Sequence, residues 1–232
     1  MLLEQGRLLL EAAEHLVGET RALARGWETD ITIAVDALVP LQALYPLVER
    51  LAELTDTRLR LRAEVLAGSW ECLEDGRADL LISSLNPDIT LTGIKHQSLQ
   101  EEVMLYVAHP DHPLHGEPEP LADETLRRYR AIAIADTARR KPALTYRLLD
   151  KQPRLTVSTM GEKRDALLAG IGVGTMPLSW IEEDIKAGRL KVIGPEYRHQ
   201  VQVVLAWRRD TMGKAKSWLV REIPKLFPCK GE

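Results

Sequence analysis

The stretch "ALLAGIGVGTMPLSWIEEDIKAGRLKVI" (residues 166–193) decides the fold. Its alternating glycines, Gly170, Gly172 and Gly174, invite comparison with nucleotide-binding loops. A dinucleotide fingerprint needs GxGxxG after a strand and before a helix. Here the spacing is GxGxGT, a helical pattern precedes it, a strand follows, and no GK[ST] completes a phosphate loop. We therefore predict structural glycines: Gly170 ends a helix in the left-handed conformation, and Gly172 and Gly174 let backbones approach closely.

Upstream of this stretch, strand and helix patterns alternate. "DITIAVDA" (30–37), "RLRLRAEVL" (58–66) and "ADLLISS" (78–84) read as strands. A helix opened by Pro40 lies between the first two, and a helix capped by Ser69 lies between the last two. Such a β-α-β-α-β run predicts a parallel sheet with right-handed crossovers.

A second set of strands and helices follows the first. Two long strands, near residues 99–108 and 200–207, connect the two sets. Two such strands predict a hinge between two α/β lobes.

The N-terminal segment has a heptad pattern. Leu2, Leu9, Leu16 and Leu23 lie seven residues apart, which keeps one apolar stripe along a helix. The stripe favours a dimerising helix over residues 1–26; the alternative is a helix packed on its own domain. The segment lacks the features of a secretory signal, and no run reaches the roughly 18 apolar residues of a membrane span. We expect a cytoplasmic protein that does not bind a membrane.

Composition and motifs exclude several classes of function. The net charge of −3 over 232 residues gives no basic excess for nucleic-acid binding. The two cysteines, Cys72 and Cys229, suggest a reducing compartment. We find no nucleophile elbow or zinc-protease motif, and the sequence predicts neither an enzyme nor a cofactor.

The strongest metal candidate is "HPDHPLH" (109–115). His109, His112 and His115 are spaced by three, but Pro110 and Pro113 prevent the helix that would gather them. No metal site is predicted there.

The carboxyl ends of the predicted strands point to a ligand site. Ligands of open α/β sheets bind outside those ends, where helix N-termini offer free amides. Two capping boxes are predicted, in "TMGE" (159–162) and "SWIE" (179–182). For Thr159, helix capping and ligand contact are both open, and they can coexist.

These pieces, taken in order, resemble the linker helix and effector-binding domain of LysR-type transcriptional regulators. The resemblance rests on the heptad helix, "ITIAVDALVPLQALYPLVERL" (31–51), "LAGSWECLEDGRADLLIS" (66–83), "VMLYVAHPDHPL" (103–114) and the opening stretch. A likeness to one subgroup of that family rests on "RALARGWET" (21–29) and on residues 207–227.

The resemblance implies two Rossmann-like lobes of the type-2 periplasmic-binding-protein kind, joined by two hinge strands and preceded by the linker helix. The implied domains are a linker over 1–26, lobe I over 28–101 and 202–230, and lobe II over 102–201.

It also implies an effector site in the cleft between the lobes. Carried over by position, the site residues are Asp36, Ala37, Leu38, Ser83, Ser84, Asp136, Thr137, Thr159, Gly161 and Thr175. Many family members have Ser or Thr where this chain has Asp36. Because an acid there would repel a carboxylate, the effector is expected to donate hydrogen bonds or to be uncharged, such as an aromatic or hydroxylated metabolite.

The implied function is effector sensing and oligomerisation as a homodimer or homotetramer. The winged helix-turn-helix that precedes the linker in this family has no counterpart in the sequence, so we expect DNA contact only through that missing domain. Two alternatives stay open: a solute-binding protein for transport, and an enzyme on the same two-lobe fold.

Overall fold

A computed structural model describes residues 26–85, 92–209 and 212–227 of the chain. The predicted heptad helix lies outside these residues. Within them, no helix is both long and apolar enough to cross a membrane.

Nine strands and six α-helices make up the described fold. The first half of the chain forms β1 (Asp30–Asp36), α1 (Tyr45–Ala52), β2 (Arg58–Glu64), α2 (Ala67–Glu74), β3 (Leu80–Ser84) and β4 (Ile94–Ala108). The second half forms α3 (Asp123–Leu126), β5 (Ala131–Ile134), β6 (Arg154–Val157), α4 (Met160–Leu168), β7 (Val173–Pro177), α5 (Leu178–Lys186), β8 (Lys191–Val192), β9 (His199–Arg208) and α6 (Lys214–Glu222).

The strands form one mixed sheet in the order β2-β1-β3-β9-β4-β7-β5-β6, and β8 pairs with β4. The β1 strand is parallel to β2 and β3, as the β-α-β-α-β pattern predicts. In the other half, β5 is parallel to β6 and β7. We call the half with β1 to β3 lobe I and the half with β5 to β7 lobe II; the residue boundaries given above stay a prediction.

Two long antiparallel strands, β4 and β9, run through the middle of the sheet and serve both lobes. The β9 strand pairs with β3 in lobe I, and β4 pairs with β7 in lobe II. Their mutual register shifts between Ser98 and Gln100, so Leu99 is an extra residue on β4. The predicted hinge strands are therefore present, and a β-bulge interrupts their ladder.

The glycines of the opening stretch have the predicted structural role. Gly170 ends α4 at φ 70°. A Cβ on Gly172 would overlap the Arg130 carbonyl group, with the carbonyl carbon at 3.1 Å. A Cβ on Gly174 would lie 3.0 Å from the Ile132 oxygen. Because these two positions have no side chain, β7 can pass close to Arg130, just before β5, and to β5 itself.

Two predicted helix caps are wrong. Ser69 lies inside α2, whose N-cap is Leu66 without a side-chain cap. The N-cap of α5 is Pro177, because β7 runs directly into the helix, so "SWIE" forms no capping box. The box in "TMGE" is confirmed, with Thr159 as the N-cap of α4.

Candidate functional site

The carboxyl end of β1 carries a buried acid, Asp36. Its Oδ1 accepts a hydrogen bond from the Leu38 amide at 3.1 Å. Its Oδ2 accepts from the Leu66 amide at 3.0 Å and from the Ser69 hydroxyl at 2.6 Å. Burial raises the pKa of Asp36, and these donors together with Ser83 oppose that rise. The carboxyl group thus ties β1 to the loop before α2.

Four further residues of the sequence-predicted set lie beside Asp36 in lobe I. The Ala37 amide donates to the Glu64 carbonyl at 2.9 Å. The Leu38 carbonyl accepts from the Trp180 indole of lobe II at 3.2 Å, so this contact crosses the cleft. Ser83 is buried, and the carbonyl of Ser84 accepts from the Trp70 indole at 3.1 Å.

Asp136 and Thr137 of lobe II reach lobe I directly. The carboxylate of Asp136 accepts from the amides of Ala67 at 3.3 Å and Gly68 at 3.0 Å, at the start of α2. The hydroxyl of Thr137 accepts from the Val65 amide at 2.9 Å. The structure therefore brings Asp36, Ser83, Asp136 and Thr137 together around one segment, residues 65–69, which includes the first turn of α2.

Thr159 and Gly161 lie at the start of α4, the next candidate position. The Thr159 hydroxyl accepts from the Glu162 amide at 3.1 Å. Glu162 accepts in return from the amides of Ser158 at 2.8 Å and Thr159 at 2.9 Å, which lowers the pKa of Glu162. Among the described residues, no hydrogen bond links Thr159 or Gly161 to the segment at 65–69. Thr159 is exposed, so its hydroxyl caps the helix at an open surface.

Thr175 lies within β7, opposite Tyr106 of β4. Its side chain is buried, and its Oγ1 has no hydrogen-bond partner among the described residues. Most buried hydroxyls in proteins are hydrogen-bonded. Thr175 is therefore a member of the predicted set whose buried hydroxyl has no partner among the described residues.

Three buried charged residues are absent from the set predicted from the sequence. Glu102 of β4 is buried and accepts from the Ser179 amide at the start of α5 at 3.1 Å. Glu71 is buried in α2 and accepts amides from lobe II. Lys163 is buried on α4. The sequence around Glu71 does not reveal its role, because its partners lie about 70 positions away. Lys163 could have been found, because its spacing from Met160 and Leu167 puts it on the same buried face of the helix.

Lys163 is a buried cation without an anion. The described residues place no carboxylate within ion-pair distance of its ammonium group, and burial lowers the pKa of Lys163 to about 8. Its Cε and Nζ lie 3.2 and 3.7 Å from where a Cβ on Gly174 would be. The missing side chain of Gly174 is what gives this lysine room.

The predicted histidine cluster is not a metal site in the part of the chain that the structure describes. In the described ranges, no three His, Cys, Asp or Glu side chains are grouped as metal ligands. The ring nitrogens of His109 and His112 accept from amides within their own loop. A groove of about 530 Å³ lies at the other end of lobe I from Asp36, between Trp27, Leu54 and Trp218.

Two sets of parallel strands joined by two long antiparallel strands define a two-lobed ligand-binding domain of the periplasmic-binding-protein type. Residues 24–227 match the family described as LysR substrate binding domain. The chain belongs to this family, and it is the effector-binding domain of a LysR-type transcriptional regulator.

One curated relative is the "Probable HTH-type transcriptional regulator YhaJ" of Escherichia coli K12. It is 56% identical over 99% of this chain and 77% of its own length. The subgroup likeness expected from residues 21–29 and 207–227 is thereby confirmed.

Solved structures share the fold at lower identity. Full-length LysG of Corynebacterium glutamicum with bound effector Arg has a TM-score of 0.68 at 19% identity, over 96% of this chain and 78% of that one. The regulatory domain of CrgA from Neisseria meningitidis has a TM-score of 0.61 at 17% identity, over 86% and 98%.

Proposed function

We propose that this domain senses a small effector that donates hydrogen bonds or is uncharged, and that the effector binds in the cleft between the lobes. One observation carries the chemistry: the chain's own carboxylates already occupy backbone donors at the cleft edge. Asp136 takes the first two amides of α2, and Glu102 takes an amide at the start of α5. An anionic effector would meet these acids and would have to displace them.

The buried hydroxyl of Thr175 supports a ligand with polar, uncharged groups. A hydroxyl can both donate and accept, and this one has neither partner among the described residues. An aromatic or hydroxylated metabolite fits that chemistry. The ten residues named from the sequence stay our proposal for the cleft lining.

We further propose that the regulator works as a homodimer or homotetramer in the cytoplasm and reaches DNA through a winged helix-turn-helix. The heptad pattern of residues 1–24 supports dimerisation. Relatives named as HTH-type regulators support the DNA-binding role. The effector would act by binding two arrangements of the lobes with different affinities.

A thermal-shift screen tests the effector chemistry. A ligand that binds only the folded chain stabilises it by about 2.7 kcal/mol at a concentration of 100 Kd. We expect hits among phenols, polyols and other uncharged hydroxylated compounds. A screen in which simple carboxylates are the only hits would contradict the proposal.

A matched pair of variants then locates the site. Thr175→Val removes one buried hydroxyl at constant shape, while Thr156→Val makes the same change at an exposed position of β6. Because the Thr175 hydroxyl has no partner to lose, we expect both variants to fold normally. Only Thr175→Val should reduce the ligand-induced shift. Equal shifts in the two variants would remove Thr175 from the site.

A further inference from the structure

We propose that residues 136–141 of lobe II, here called the latch, hold lobe I through α2, and that opening of the latch is the conformational step to which effector binding is coupled. The inference rests on the proposed function, since it concerns the regulation of the same cleft. Its structural basis is a set of contacts in which each lobe binds backbone groups of the other.

The first contact is made by Asp136 at the N-terminus of α2. The first amides of a helix have no acceptor within the helix, and the helix dipole favours a negative charge there. Asp136 accepts from Ala67 and Gly68. The same carboxylate also accepts from Ala138 at 2.8 Å and Leu144 at 2.7 Å in its own lobe. One acid therefore orders the latch and fastens it to α2.

The second contact runs in the opposite direction, from α2 to the latch. The buried carboxylate of Glu71 accepts from three consecutive latch amides: Arg139 at 3.1 Å, Arg140 at 3.0 Å and Lys141 at 3.0 Å. These backbone donors lower the pKa of Glu71 to about 2. Lys141 also forms an ion pair with Glu74 at 2.6 Å. Two acids, one from each lobe, thus bind amides across the same junction.

The third contact needs a glycine. A Cβ on Gly68 would lie 2.5 Å from the Thr137 carbonyl carbon and 2.6 Å from the Ala138 nitrogen. Because the two backbones lie this close, the Thr137 hydroxyl accepts from the Val65 amide at 2.9 Å and donates to the Val65 carbonyl at 3.3 Å. The latch backbone can therefore close on α2 only while position 68 has no side chain.

The junction also holds one residue in a costly conformation. Leu66 has φ 52° and ψ −123°, which a residue with a Cβ rarely adopts. Its amide is bound by Asp36 of lobe I, and its neighbours Val65 and Ala67 are bound by the latch. Release of the latch frees both neighbours, so Leu66 can relax. We expect Leu66 to adopt a relaxed conformation once the latch opens, which would give this segment the two arrangements that a switch requires.

The test is Gly68→Ala, with Gly116→Ala as its matched control. Alanine suits a helix better than glycine, so lobe I should fold. A Cβ on Gly116 would meet nothing within 4 Å. Amide hydrogen exchange of residues 139–141 is measured on the chain alone. We expect protection in the wild type, a loss of at least roughly tenfold in Gly68→Ala, and no change in Gly116→Ala. X-ray scattering should give a larger radius of gyration for Gly68→Ala alone.

Two further variants keep the inference testable if Gly68→Ala fails to fold. Asp136→Asn replaces one acceptor oxygen at the start of α2 by an NH2 donor. Thr137→Val removes the two hydroxyl bonds to Val65 at constant shape and leaves only the backbone bond from the residue 137 amide to the Val65 carbonyl, at 3.4 Å. Both should raise the exchange of residues 139–141. If folded variants keep wild-type protection and wild-type scattering, the latch does not exist. That result would leave the proposed effector chemistry untouched, because the ligand screen does not depend on it.

Discussion

Replacing Lys163 by methionine should stabilise the domain at neutral pH. Lys163 is 7% exposed and has no ion-pair partner among the described residues. Methionine keeps the length of the side chain, carries no charge and adapts to irregular apolar space. The substitution therefore removes the cost of a buried ammonium group and keeps the packing against Gly174.

The magnitude follows from the pKa of Lys163. Burial lowers it from 10.5 to about 8, and each pKa unit corresponds to about 1.4 kcal/mol, so the charged form costs about 3 kcal/mol in the fold. Between pH 8 and 10.5 the unfolded chain holds a proton that the folded chain has lost. The stability of the wild type therefore rises with pH across that window through this group. The variant lacks this rise.

Urea denaturation of both proteins from pH 7 to pH 10 measures the effect. We expect Lys163→Met to be about 2–3 kcal/mol more stable at pH 7, with the difference shrinking steadily above pH 8. Lys186→Met is the control, because Lys186 is exposed and paired with Glu182 and Glu183. It should show no comparable gain. A difference that does not vary with pH, or no gain at pH 7, would refute the reasoning.

Three further substitutions test packing, capping and the contact between lobes, each by urea denaturation at pH 7. Gly172→Ala should cost about 1–3 kcal/mol because its Cβ overlaps a backbone carbonyl beside β5, and a cost no larger than that of Gly116→Ala would contradict this. Thr159→Ala should cost about 1 kcal/mol through loss of the α4 cap; an unchanged midpoint would show that the cap is dispensable. Trp180→Phe should cost about 1 kcal/mol by leaving the Leu38 carbonyl without its donor, and equal stability would argue against this contact in solution.

Local patterns in the sequence predict much of the fold, because they depend on neighbouring residues. The "TMGE" box and the helix end at Gly170 are short-range features, and both are confirmed. The "SWIE" box fails although its letters fit. There the Ser179 amide is bound by Glu102, a residue 77 positions away. A short motif cannot report a distant acceptor that replaces its own cap.

The candidate site is harder to predict from the sequence, because its hydrogen-bond partners are also distant in the sequence. The sequence places Asp36 and Asp136 at the ends of strands, where ligands bind, and the structure finds them there. Each acid also takes donors from residues 65–69, which lie far from both acids in the sequence. Whether an acid at a strand end faces a ligand or a backbone amide depends on that packing.

The bulge at Leu99 bears on where the length of the chain can change. In a β-strand, one inserted or deleted residue moves every following side chain to the opposite face. At Leu99 the extra residue already sits outside the ladder, between the pairs Ser98–Val204 and Gln100–Val203. Deleting it would join two regular ladders and leave each face of lobe II as it is, at the loss of one buried leucine. Single-residue length changes elsewhere in β4 would instead exchange the side chains on the two faces of the sheet in lobe II, so natural variation in hinge length should concentrate at this position.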